Sequence, residues 1–146
     1  MRKIAAILVL AIIGAFIFML IHQSADDEAT EAVTEFYSYE QEADFSASWE
    51  MFHPIMKEKF DKIDYLQDRA HVFLNHFGVE TFSFTVGEAT EIEDWTIEND
   101  AEVIDTVYQV PVSLGFKGKY GNFSLVQNTF ATKVKGEWKI LWDYKK

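Results

Sequence analysis

The chain has no cysteine, only two prolines and only seven glycines in 146 residues. Without cysteine there is no disulfide and no lipid-modified N-terminal cysteine, so any exported domain must hold together by packing alone. The glycines form no phosphate-cradling loop, and no serine or histidine falls in a nucleophile motif. Basic residues are scarce in the first two thirds. Between residues 26 and 105 only Lys57, Lys59, Lys62 and Arg69 stand against a long series of acids, and the whole chain carries a net charge of −11. An acidic surface of that kind argues against nucleic acid as a partner. From residue 106 the balance reverses, with Lys117, Lys119, Lys133, Lys135, Lys139, Lys145 and Lys146 opposed only by Glu137 and Asp143.

Apolar residues are concentrated first in the stretch from Ile4 to Ile21, eighteen residues without a charge. As a helix at ~1.5 Å per residue it covers about 27 Å, close to the hydrocarbon thickness of a bilayer. Its Ile, Leu, Val and Phe residues supply roughly −4 to −7 kcal/mol of insertion free energy. Arg2 and Lys3 precede it and Asp26, Asp27 and Glu28 follow it. Basic residues stay on the cytoplasmic side, so the expected topology is a single pass with residues 26–146 extracytoplasmic. A cleaved signal peptide would end in a small-x-small site, whereas His22 and Gln23 occupy the exit. An uncleaved signal anchor is therefore expected, with residues 1–25 as cytoplasmic stub, anchor and linker.

The remaining residues, roughly 120, suit one core, and an aromatic content of 16% can fill it. Ser24 is a helix cap ahead of the acidic first turn Asp26-Asp27-Glu28. Ala29, Ala32, Val33, Phe36 and Ala43 make an apolar stripe at helical spacing. Asp44-Phe45 restarts the chain, and Trp49, Phe52, Met56 and Phe60 form a second stripe that Pro54 breaks near His53. Asp64 with Gln67 reads as the capping box of a third helix, ended by Gly78. Beyond Gly78 the period becomes 2. Strands are expected at Phe82 to Val86, Ala89 to Ile97, Ile104 to Phe116, Phe123 to Val134, and Trp138 to Tyr144. In the long third strand Pro111 implies a bulge or an edge. Helices followed by a meander give an α+β class: three helices on one face of a curved antiparallel sheet.

Three helices, then long strands ending in Gly136-Glu137-Trp138-Lys139-Ile140-Leu141-Trp142-Asp143, resemble the nuclear transport factor 2-like (cystatin-like) superfamily. The last-strand G-x-W-x-x-x-W-D run and the Asp44-Phe45 helix are most similar to the N-terminal domain of methicillin-resistance-type penicillin-binding proteins. The chain differs from them in ending at Lys146 without a transpeptidase domain. What the resemblance implies is a membrane-anchored spacer or docking domain of the bacterial cell envelope. The membrane-tethered domain of type IV secretion assembly proteins has a similar anchor-then-cone layout. Enzymes of this superfamily, isomerases and dehydratases, work inside the cone with Asp, Tyr and His.

The polar residues available for such chemistry are His53, Tyr65, His71, His76, Asp94 and Tyr108, and they make no recognisable catalytic set. His71 and His76 are five apart and diverge on a helix, which weakens the case for a shared metal. The acids from Glu88 to Asp105 lack the spacing of a calcium loop. No catalytic residue, metal site or cofactor is therefore expected. Two surfaces remain as candidates. Tyr108, Trp138 and Trp142 form a concave aromatic wall, for which core is the default and an apolar ligand the alternative. Lys117, Lys119, Lys133, Lys135 and Lys139 lie around two successive turns and form a basic surface for an acidic envelope protein partner, anionic lipid or anionic wall polymer, the equal alternative being pairing with the chain's own acidic helices. The expected protein is a monomer or weak dimer that acts by contact, the alternative being a cone-pocket binder or isomerase.

Overall fold

A computed structural model describes residues 12–14, 24–72 and 82–145. Residues 12–14 are helical and Ile12 and Ile13 are exposed; the rest of the expected anchor, Ile4 and Ile21 included, lies outside the described residues. Among those described, no helix is long and apolar enough to cross a membrane.

The domain begins with α1, Ala25–Gln41. Its cap is Ser24, whose Oγ accepts from the Asp27 N–H at 3.2 Å, with Asp26, Asp27 and Glu28 in the first turn at the positive end of the helix dipole. Ala29, Ala32, Val33, Phe36, Tyr37 and Glu40 are its buried residues. Ala43 is not part of this stripe: the helix ends at Gln41 and Ala43 turns the chain at φ 59°. The buried face continues instead to Glu40.

Asp44 then caps α2, Phe45–Glu50, accepting from the Ala47 N–H at 3.0 Å. Pro54 opens α3, Pro54–Lys59, at the position where a missing N–H costs nothing, and His53 Nδ1 caps it by accepting from the Ile55 N–H at 3.2 Å. That cap needs a neutral imidazole, and burial pushes the His53 pKa down, a direction the charge of Glu102 partly opposes. The next helix, α4, is Lys62–His71, and its cap is Asp61 rather than Asp64. Phe60 leaves α3 in an extended conformation, so the chain can restart at once; Asp61 accepts from the Ile63 N–H at 2.9 Å and Asp64 falls inside the first turn. The expected stop at Gly78 lies outside the described residues.

Five strands follow: β1 Phe82–Val86, β2 Thr90–Thr96, β3 Val103–Gly118, β4 Gly121–Val134 and β5 Glu137–Trp142. They make one antiparallel sheet in the order β1-β3-β4-β5, with β2 pairing on the same side of β3 as β1 but farther along it. The class is α+β. In β4 and β5 residues of both parities are buried, Ala131 and Ile140 on one side and Phe130 and Leu141 on the other. The helices thus cover one face, and Trp95 packs on Phe130, ring centroids 4.7 Å apart and tilted by 36°, on the other.

Pro111 lies neither in an edge strand nor at a bulge, because β3 is central and its register with β4 runs unbroken through Pro111↔Asn128. It sits where β1 ends and β2 has not begun. The Gly87 N–H donates to the Pro111 carbonyl at 2.8 Å, and the N–H that proline lacks would point into the same gap. Gly87 is as constrained as Pro111: an added Cβ would stand 2.7 Å from Pro111 Cγ, a rigid ring atom. Gly87→Ala is expected to cost about 1–3 kcal/mol through this overlap, measured as a shift of the denaturation midpoint.

Other parts of the chain meet the edges of the sheet at a few points. On β5, Ile140 bonds the segment between α2 and α3, donating to Met51 O at 2.9 Å and accepting from the His53 N–H at 3.0 Å. Gln41 Nε2 donates to Phe82 O at 2.6 Å at the start of β1. The outer side of β2 carries Glu91, Glu93 and Asp94, the last at φ 52°, and just past its end Ile97 O accepts from the Tyr144 N–H at 2.9 Å. In β4, β5 pairs only with Thr129 onward, so among the described residues the strand pairing of 121–128 is with β3 alone.

Candidate functional site

The three aromatic residues of the expected wall separate into two environments. Trp142 belongs to the core: its ring meets Phe52 at 5.0 Å, Phe36 at 6.0 Å and Phe60 at 6.2 Å, all near edge-to-face. Its indole N–H is buried and has no hydrogen bond of good geometry among the described residues. Tyr108 and Trp138 do come together, edge-to-face at 5.5 Å, beside a cleft of about 430 Å³ that Ala25, Ile104, Thr132 and Lys133 also line. The polar atoms of the pair are occupied by the chain itself. Tyr108 donates to Glu91 at 2.8 Å, and Trp138 Nε1 donates to Glu28 at 3.0 Å.

Sequence reasoning missed the most polar part of the interior. Glu40 is 2% exposed, and its carboxylate is held on all sides. Ser48 donates to Oε1 at 2.5 Å, Tyr65 donates to the same oxygen at 2.7 Å, and the Arg69 guanidinium forks onto Oε2, its Nε at 2.7 Å. This joins α1, α2 and α4. The signal was present, since Glu40 stands on the 29–33–36 stripe where an acid is out of place. With each oxygen already bonded, the group ties helices together and offers no free proton acceptor.

Tyrosine ionisation reports on the same packing. Burial, then the hydrogen bond to the Glu91 carboxylate, pushes Tyr108 up to about 12; burial, then the charge of Glu98, pushes Tyr144 up to about 12. Tyr37 and Tyr65 are raised too, burial being the first cause in both. Each raised value means that the folded state holds its proton longer than the unfolded chain does. The associated stability is full below pH ~10, the ordinary tyrosine value, and is lost as pH rises towards the folded values. Alkaline unfolding between about pH 10 and 12 is expected to coincide with the rise of tyrosinate absorbance. Tyrosinate absorbance from most of the six tyrosines appearing well below the unfolding transition would contradict this.

The five lysines do not form one surface. Lys117 and Lys119 are at the β3–β4 turn and Lys133 and Lys135 at the β4–β5 turn, at opposite ends of β4. At ~3.3 Å per residue, strand length separates the two turns by up to about 45 Å. Successive turns of a meander alternate ends, which adjacency in sequence does not convey. Lys133 pairs with Glu28 at 2.5 Å and covers the Trp138 ring at 5.0 Å, and Lys139 pairs with Glu137 at 3.0 Å. Lys119 lies over the Tyr120 ring at 5.3 Å, and Lys117 lines a cleft of about 580 Å³ with Ser83, Asn122 and Ser124.

Of the other polar candidates, His53 is a helix cap, Tyr65 serves Glu40, His71 closes α4 and Asp94 is a strand residue with positive φ; His76 lies outside the described residues. Among the described residues no three acids or histidines gather as a metal would require. Neither a family model nor a curated protein matches the chain.

The remaining surface feature is the β4 edge. Tyr120, Leu125 and Val126 are 91%, 51% and 68% exposed on and beside it. The edge sits at the end of the domain away from Ser24. The start of α1 meets the β4–β5 hairpin through Glu28 with Lys133 and Trp138, whereas its far end reaches Phe82, which pairs with Phe116 near the β3–β4 turn.

Proposed function

We propose that the chain is a single-pass, membrane-anchored interaction or scaffold module of the bacterial cell envelope. Residues 4–21 are its anchor, the N-terminus is cytoplasmic, and residues 26–146 form an extracytoplasmic nuclear transport factor 2-like domain that acts without catalysis. The observation that carries this reading is the free β4 edge, held at the end of the domain remote from the anchor junction. An extended segment of another protein adds to such an edge through main-chain bonds, and alternate side chains supply specificity. The interior supports the same reading, because Trp142 packs in the core and the polar atoms of Tyr108 and Trp138 are engaged by Glu91 and Glu28.

The second reading, a cone-pocket binder or isomerase-type enzyme, draws on the cleft beside Tyr108 and Trp138. Anionic lipid at the Lys133–Lys135 turn is a further reading of the basic residues, and that turn is on the anchor side.

Photo-crosslinking in living cells separates these readings. A crosslinker placed at Val126 of the full chain is expected to give discrete protein adducts, with few from Glu58 on the helical side. A reporter fused after Lys146 is expected to work only outside the membrane. A reporter active only in the cytoplasm, or a mature N-terminus near Ala25, would overturn the anchored topology.

A further inference from the structure

The whole start of α3 hangs on His53. Pro54 has no N–H, Met56 and Lys57 donate to the His53 carbonyl at 2.9 and 3.1 Å, and the Ile55 N–H donates to His53 Nδ1 at 3.2 Å. The same residue meets the outer edge of β5, its own N–H donating to the Ile140 carbonyl at 3.0 Å. In the other described helices of the domain, the caps are the side-chain oxygens of Ser24, Asp44 and Asp61. A hydroxyl and two carboxylates keep one charge state between about pH 5 and 8, whereas imidazole changes its charge there. Among these helices α3 alone is therefore capped by an atom that takes up a proton near neutrality. His53 is only partly buried, so a proton from solvent can reach the ring.

We propose that His53 is an acid-operated release for α3: once Nδ1 carries a proton it turns from acceptor to donor, and the first turn of α3 opens. The protonated ring sets N–H against N–H at Ile55 and places a positive charge at the positive end of the helix dipole. The cations of the neighbouring elements are engaged elsewhere: Lys57 of α3 with Glu50 of α2, Lys59 of α3 with Glu98, and Lys139 of β5 with Glu137. Glu102, just ahead of β3, is the charge that acts on the imidazole, and it favours the proton. Burial acts the other way and is the larger cause, so the folded state binds the proton less tightly than the opened one. The stability supplied by the cap is thus complete above the ordinary histidine value of about 6.5 and is lost as pH falls through the folded value. Each pH unit between those two values multiplies the opening of α3 about tenfold at the acid limit. Phe52, on the other side of His53, is fully buried and keeps the segment on the core, so the opening is local. The release needs no partner and so does not depend on the interaction-module reading.

The test uses the full chain in detergent micelles, with the His53 ring followed by NMR through a pH titration and amide exchange measured at about pH 7.5 and about pH 5. After correction for the intrinsic dependence of exchange on pH, the Ile55, Met56 and Lys57 amides are expected to open more often at the lower pH. The fold-change is expected to match the distance of the ring's titration point below about 6.5, tenfold per unit. The Asp27 and Ile63 amides, held by Ser24 and Asp61, are expected to show no such change. His53→Asn keeps a cap that does not titrate and is expected to remove the response, which separates His53 from His22, His71 and His76. His53→Ser, a second cap without a titrating group, takes its place if the asparagine variant melts early. A ring that titrates at or above about 6.5, an opening of α3 that is indifferent to pH, or a response retained in the folded variant would overturn the inference.

Discussion

Arg69→Leu is expected to cost about 3–5 kcal/mol of folding stability, because it strips a buried carboxylate of its countercharge. Glu40 is shielded by α1, α2 and α4, and the Arg69 side chain is 23% exposed, so water replaces little of what is lost. Ser48 and Tyr65 still donate to Oε1, but two neutral donors do not balance a full charge away from solvent. The double change Glu40→Leu with Arg69→Leu removes the charge together with its partner and is expected to recover at least half of the loss. Urea denaturation of the wild type, both single variants and the double variant measures the coupling. A loss below about 1 kcal/mol for Arg69→Leu would show that the pair is solvated and that the helices are joined by apolar contact alone.

The second large effect belongs to Phe52→Ala, also expected at about 3–5 kcal/mol. Phe52 is fully buried and its ring touches Phe36 at 5.2 Å, Tyr65 at 5.2 Å and Trp142 at 5.0 Å, linking three elements. Its backbone lies in the segment that covers the outer edge of β5 through Ile140. Truncation therefore leaves a cavity and loosens an edge cover at once. Trp138→Ala is expected to cost less than half as much, since that ring lies at a cleft wall and is only partly buried. Equal losses for the two variants would place Trp138 in the core after all.

Local signals were legible in the sequence. Ser24, Asp44 and the His53-Pro54 break act within one helical turn, so their chemistry is visible in a few adjacent residues. The α+β order was legible for the same reason, through a change of period beyond Gly78. What was not legible depends on distant partners. Asp61 and Asp64 are both good caps, and the choice between them turns on how Phe60 leaves the preceding helix. Pro111 reads as an edge residue until β1 and β2 are both seen to pair with β3 and to leave a gap at Gly87. Glu40 looks like one more acid of an acidic helix until Arg69 and Tyr65 are brought to it. The lysines look contiguous because turns that follow one another in sequence lie at opposite ends of a strand. The same non-locality hid the open edge, which exists only because β5 is shorter than β4.

Amide hydrogen exchange of the full chain in its native membrane, compared with dilute detergent micelles, tests most directly whether the protein works through this edge. The Phe123, Leu125 and Gln127 amides, bonded to β3, are expected to be protected in both. The Ser124, Val126 and Asn128 amides are expected to exchange fast in dilute micelles and to be slowed at least about tenfold in the membrane, where the edge is occupied. Outward amides that exchange equally fast in both settings would contradict the account.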